Sequence, residues 1–206
     1  VVGKICTMED LAIYGLAYNL VYFPNFFCDA VISPILLPAL AAVQNDKERL
    51  TRRILRLSSA LSLGFFPLFA LMACSSFWLL RIVYGPVYSQ AGYPFIILCA
   101  SSALRIVGGT LVTLYFATGR PELNRQASFL RMVVMIGLII PLVMRFGLVG
   151  AALSGLLASL SWQAYNVVRL RELLGIRVGQ YMRSLAGGIG LAGLVLAGWF
   201  GLQWIF

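Results

Sequence analysis

The sequence predicts an all-α, polytopic membrane protein built as a bundle of six transmembrane helices. Three observations predict it. Of 206 residues, 61% are hydrophobic and 11% charged, with a mean hydropathy of +0.91, far from the balance of soluble domains, which is about half apolar and a quarter charged. Apolar runs of the roughly 20 residues that a helix needs to cross a bilayer core recur at 13–42, 55–80, 93–117, 128–145, 147–168 and 185–206. Every second connection between those runs is strongly basic. The runs are continuous and rich in Leu, Ala and Gly, without the period-two alternation of ten-residue membrane strands, so they read as helices.

The first run carries Tyr14, Tyr18, Tyr22, Asn25, Asp29 and Ser33 at spacings of three and four, one polar and aromatic stripe along a helix face. Asp29 is its deepest charge. Pro24, Pro34 and Pro38 should kink this helix, as Pro67 does the second and Pro141 the fourth, because proline lacks an N–H and crowds the preceding turn. The third run is uncharged from Ala91 to Thr118 except for Arg105. Ser101, Ser102, Gly108 and Gly109 share the face of Arg105, and Leu104, Val107, Leu111 and Leu114 occupy the opposite one, so the arginine is expected to face small polar residues, away from lipid. In the fifth run Gly147, Ala151, Gly155 and Ser159 recur every four residues, and Gly193, Ala197 and Gly201 do so in the sixth. Such stripes predict close helix packing. Ser159, Gln163 and Asn166 form a third polar stripe, which either lines a cavity or bonds helix to helix.

The connections settle the expected orientation. "QNDKERLTRRILR" (44–56), "TGRPELNRQASFLR" (118–131) and "RLRELLGIRVGQYMR" (169–183) hold 12 of the 16 Lys and Arg; outside them stand only Lys4, Arg81, Arg105 and Arg145. The positive-inside rule places these three connections in the cytoplasm, and residues 1–12 and Phe206 outside. Their charges read as topogenic, facing anionic lipid. The net charge of +9 comes with no nucleic-acid-binding motif. The chain has no His, and Cys6, Cys28, Cys74 and Cys99 stand apart without a CxxC pair, which argues against a metal, a cofactor and the commonest general base. The cysteines read as small apolar core residues. The chain starts without Met or a signal peptide and its last apolar run reaches the final residue, so both ends read as truncated.

Asp29 and Arg105 both fall near the expected midplane, at depths differing by about 5 Å. An ionisable side chain there costs at least about 2.5 to 3.5 kcal/mol, so it faces a cavity, a partner or both. Two readings stand side by side: an ion pair that fixes helix register, and a wet cavity in which Arg105 offers positive charge to an anionic substrate. Tyr18 and Tyr22 suit the faces of sugars, while Tyr14 reads as an interfacial anchor. The candidate substrate-binding residues are Arg105, Asp29, Asn25, Tyr22, Tyr18, Ser101, Gln163 and Asn166.

"LAIYGLAYNLVYFPNFFCDAVISPILLPALAAVQNDKERLTRRILR", followed by "FFPLF", "LLRIVYGPVYSQAGYPFIILCASSALR", "YFATGRPELNR" and "FGLVGAALSGLLASL", resembles the C-terminal half of bacterial polysaccharide flippases. These belong to the multidrug, oligosaccharidyl-lipid and polysaccharide exporter superfamily. The resemblance implies one six-helix lobe of a two-lobed transporter, with the first run as the eighth helix of fourteen and Val1 to Met8 as the tail of the seventh. It implies no enzyme, but the flipping of an undecaprenyl-pyrophosphate-linked oligosaccharide across the bacterial inner membrane for O-antigen or other polysaccharide export. It also implies alternating access between two lobes. Expected partners are that lipid-linked oligosaccharide, membrane lipids, and the polysaccharide polymerase and chain-length machinery. By analogy Arg105 would contact the pyrophosphate or acidic sugars. Coupling to an H+ or Na+ gradient would fall to Asp29, the sole acidic residue deep in a span. The alternatives are a drug or lipid II exporter of the same superfamily, or a membrane-embedded polymerase. The polymerase would need larger outer loops than "RIVYGPVYSQAG".

Overall fold

The computed structural model describes residues 8–205, and every described element is helical or a turn between helices. Helix α1 (Met8–Phe27) runs into one π-helical turn (Cys28–Ile32) and continues as α2 (Ser33–Ala41). Pro34 explains the turn. With no N–H to give to the carbonyls behind it, its ring needs a wider backbone, which the Ser33 N–H closes on the Cys28 carbonyl. Pro24 and Pro38 lie inside their helices without ending them.

Helix α3 (Lys47–Cys74) begins where the Asp46 side chain accepts a hydrogen bond from the Arg49 N–H at 3.0 Å, an N-cap. The basic residues from Lys47 to Arg56 therefore form its first turns instead of a loop. Arg53 reaches from there to the Ala39 carbonyl near the end of α2. The helix stops at Cys74, and a short helix α4 (Ser76–Tyr84) and a 3-10 turn (Pro86–Ala91) lead into α5 (Gly92–Ala117). Arg125 and Arg131 likewise lie on a helix, because α6 (Pro121–Leu174) starts directly after Arg120. Helix α7 (Val178–Ile205) closes the bundle.

Five helical stretches among the described residues are long and apolar enough to cross a membrane, and the longest crosses as two arms. Straight, the 54 residues of α6 would measure about 81 Å, against a hydrocarbon core of about 30 Å. The break is at Gly147, with φ 56° and ψ −130°, a conformation open to glycine. Past it the chain runs back antiparallel. A Cβ on Gly150 would lie 2.0 Å from the Leu142 carbonyl oxygen, and Tyr165 donates to Gln126 further along the same pair of arms. Six membrane-length arms result.

Helix α5 is the hub, packed on α1, α2, α3 and α6. Phe95, Leu98 and Cys99 join Val21, Phe69, Leu80 and Ala152 in one core. Val107, Leu111 and Leu114 join Leu40, Leu50, Ile54, Leu170 and Tyr181 in another. The face of α5 opposite Arg105, with Val107, Leu111 and Leu114, is therefore interior too. Helix α7 lies mainly along α3, and its close approach is at Gly188, where a Cβ would come within 2.4 Å of the Ser62 carbonyl oxygen. The predicted stripe of Gly193, Ala197 and Gly201 does not make that contact. A Cβ on Gly193 or Gly201 would meet nothing within 4 Å, since α7 turns another face to α3. Cys28 and Cys99 are buried and Cys74 partly so; Cys6, Phe206 and most of the expected tail of a preceding helix lie outside the described residues. Gln44, Lys47, Thr118, Arg120 and Leu174 line a single cleft, so the three basic connections share one end of the bundle.

Candidate functional site

The π-helical turn carries Asp29, and α5 presents Arg105 to it. Arg105 Nη2 lies 3.5 Å from Asp29 Oδ2 and donates to Tyr22 Oη at 2.8 Å. The guanidinium also sits 4.9 Å from the centroid of the Tyr22 ring, within cation–π range, and Tyr18 stacks on Tyr22 at 5.8 Å. Of the two expected readings, the pairing of Arg105 with Asp29 is present as a contact between α5 and the π-helical turn. The side chains remain 35% (Arg105) and 55% (Asp29) exposed, because they stand on the wall of a cavity of about 470 Å³.

That cavity is bounded by Ser33, Pro34 and Leu37 of α2, by Gly109, Val112, Thr113 and Phe116 of α5, and by Asn124, Ser128, Arg131 and Trp162 of α6. Each helix contributes residues between its middle and its basic end, so the cavity occupies the half of the bundle nearer the basic connections. Its charge is unbalanced: two guanidiniums, Arg105 and Arg131, face one carboxylate, Asp29. Arg131 makes no ion pair among the described residues. It stands ten residues into α6, about 15 Å along the axis. A cation that faces an apolar bundle without a carboxylate is costly unless water or an anion attends it. The arrangement can therefore hold an anion against two arginines, with the Tyr18–Tyr22 stack as an adjacent aromatic face.

Sequence reasoning missed Arg131, which it counted among loop charges. The signal was present in Asn124, Ser128 and Arg131, whose spacing of four and three puts them on one helix face.

Not all the expected residues converge. Asn25 is 1% exposed and opens on a recess of about 20 Å³ shared with Asp29, Arg105, Thr110 and Thr113. Neither amide atom of Asn25 has a hydrogen-bond partner among the described residues. Ser101 bonds back to the Leu98 carbonyl at 2.8 Å. Gln163 donates to Tyr181 Oη at 3.2 Å, and the fully buried Asn166 donates to the Trp162 carbonyl at 2.9 Å. Those three do not line the cavity; Gln163 bonds across to α7, whereas the Asn166 side-chain bond stays within α6.

The family described as polysaccharide biosynthesis protein matches residues 1–92. A lipopolysaccharide biosynthesis protein of Escherichia coli, WzxC, is 30% identical over 174 residues, covering 84% of this chain and 35% of its own. An amylovoran biosynthesis protein of Erwinia amylovora, AmsL, is 25% identical over 188 residues, 89% of this chain and 48% of its own. A probable low-salt glycan biosynthesis flippase of Haloferax volcanii is 24% identical over 200 residues, 96% of this chain and 42% of its own. The chain thus spans a third to a half of the length of these curated relatives. No solved structure matches it. The helical membrane bundle, the family match and these relatives all agree with the resemblance to polysaccharide flippases and exporters read from the sequence.

Proposed function

We propose that this chain is one lobe of a flippase that moves an undecaprenyl-pyrophosphate-linked oligosaccharide across the bacterial inner membrane, and that Arg105 and Arg131 hold the anionic part of that substrate. The observation that carries the reading is the charge of the cavity, two arginines against one aspartate. An anion neutralises that excess, whereas a cationic drug would add to it. The Tyr18–Tyr22 stack offers an aromatic surface of the kind that packs on sugar faces.

With the basic connections in the cytoplasm, the cavity lies in the cytoplasmic half, where such a substrate would load. A second lobe rocking against this one would complete alternating access. Asp29, already tied to Arg105, would report substrate or gradient by exchanging that partner. The chain works by translocation and needs no chemistry on the substrate.

The test is translocation of lipid-linked glycan by the full-length protein in inverted membrane vesicles. Arg105→Ala and Arg131→Ala should each lower the rate well beyond Arg49→Ala, an exposed arginine paired with Asp46, with all three proteins inserted and equally abundant. Equal loss in all three, or none in any, would overturn the cavity assignment.

A further inference from the structure

Helix α5 meets a second set of polar groups on its far side. Arg105, Val112 and Phe116 face the central cavity, whereas Leu114 and Thr118, on the opposite face, line a separate cleft of about 190 Å³ with Lys47 and Arg120. Against it lies another cleft, of about 500 Å³, lined by Lys47, Arg52, Leu55 and Ile176. Lys47 and Leu174 belong to both.

The two clefts share one chemistry. Their floors are apolar, with Leu50, Leu114 and Ile176 almost fully buried, and their rims are cationic. Lys47, Arg52 and Arg120 are exposed and make no ion pair among the described residues. One carboxylate, Glu48, stands on the rim of the larger cleft, which leaves positive charge in excess. The clefts sit where α3 begins, α5 ends and α6 meets α7, at the boundary of the membrane-length segments. An apolar floor under a cationic rim at that depth suits a phosphate head with acyl chains below it. A zwitterionic head would bring its own ammonium against the arginines.

The sharing of Lys47 sharpens the ligand. Each cleft has its own arginine, Arg52 in one and Arg120 in the other, and one lysine stands between them. We propose that the paired clefts hold an anionic phospholipid whose headgroup carries two phosphates, one beside Lys47 and Arg52 and the other beside Lys47 and Arg120. Their position across α5 from the central cavity makes this a resident membrane lipid bound apart from the path of the substrate. It would brace the three basic connections against one another.

The test uses the full-length protein, delipidated in detergent, with native mass spectrometry as the readout. Diphosphatidylglycerol should be retained at a half-saturating concentration at least about fivefold below that of phosphatidylglycerol, in keeping with one further phosphate–cation contact. Phosphatidylcholine should be retained weakly, and inorganic phosphate should not displace the lipid. Lys47→Ala should weaken retention by about fivefold or more, and Arg52→Gln and Arg120→Gln by about fivefold each, with Arg49→Ala unchanged. Unaltered retention in Lys47→Ala, or equal retention of phosphatidylcholine, would overturn the site. Equal affinity for the two anionic lipids would overturn the two-phosphate assignment, and displacement by inorganic phosphate would make it a free-phosphate site. If Lys47→Ala does not fold, the double variant Arg52→Gln/Arg120→Gln, altered only at exposed side chains, reads the same prediction.

Discussion

Tyr22 and Arg105, from the first and third membrane-spanning segments, meet twice over: the guanidinium donates to the phenolic oxygen at 2.8 Å and lies 4.9 Å from the ring centroid. The tyrosine holds the arginine at the cavity wall while leaving it available to a ligand. Tyr22→Phe, which keeps the ring and removes the oxygen, should lower the stability of the full-length protein in detergent by about 1 kcal/mol. Tyr22→Ala should cost about 0.5 to 1 kcal/mol more through the lost cation–π contact. Thermal unfolding measures both, and two variants indistinguishable from wild type would remove this anchoring role.

The Asp29–Arg105 pair is an open one. At 3.5 Å, with both side chains partly exposed, its coupling in a double-mutant cycle should be about 1 kcal/mol or less. A dry pair would lose about 3 to 5 kcal/mol when one partner is removed. Asp29→Ala should therefore leave the protein folded and change translocation far more than stability. A loss of several kcal/mol would mean that the pair is sealed from water.

The fold of α6 makes a sharp contrast between two glycines on one helix. Gly150→Ala would drive a Cβ to within 2.0 Å of the Leu142 carbonyl oxygen and should destabilise by about 1 to 3 kcal/mol. Gly155→Ala, with nothing within 4 Å, should be neutral or stabilising by up to about 1 kcal/mol, since alanine is the better helix former. Expression level and melting temperature of the two variants decide it; equal behaviour would contradict the antiparallel hairpin.

Orientation is open to direct labelling. Arg120→Cys and Arg177→Cys, exposed at the basic end, and Gln90→Cys, exposed near the start of α5, should label from opposite sides of the membrane in a cysteine-free background. A membrane-impermeant maleimide added to intact cells is expected to reach Gln90→Cys alone. Labelling of all three from one side would refute the topology.

By itself the sequence determined the class of the protein and the sidedness to be tested, because composition and loop charge are local quantities that need no knowledge of packing. Apolar length marks a membrane helix wherever it sits. It also determined that Tyr18, Tyr22, Asn25 and Asp29 lie along one face, since their spacing follows the helical repeat. Only the tertiary structure decided which faces meet. The π-helical turn at Cys28–Ile32 changes the register of the first span around Asp29, the reversal at Gly147 sets the two arms of α6 side by side, and Gly188 selects the face that α7 turns to α3. These rotations brought Arg131 to Arg105 and sent Gln163 and Asn166 to bonds elsewhere. A rotation of one helix about its axis changes its neighbours without changing its hydropathy, so sequence pattern could propose the faces and packing alone could pair them.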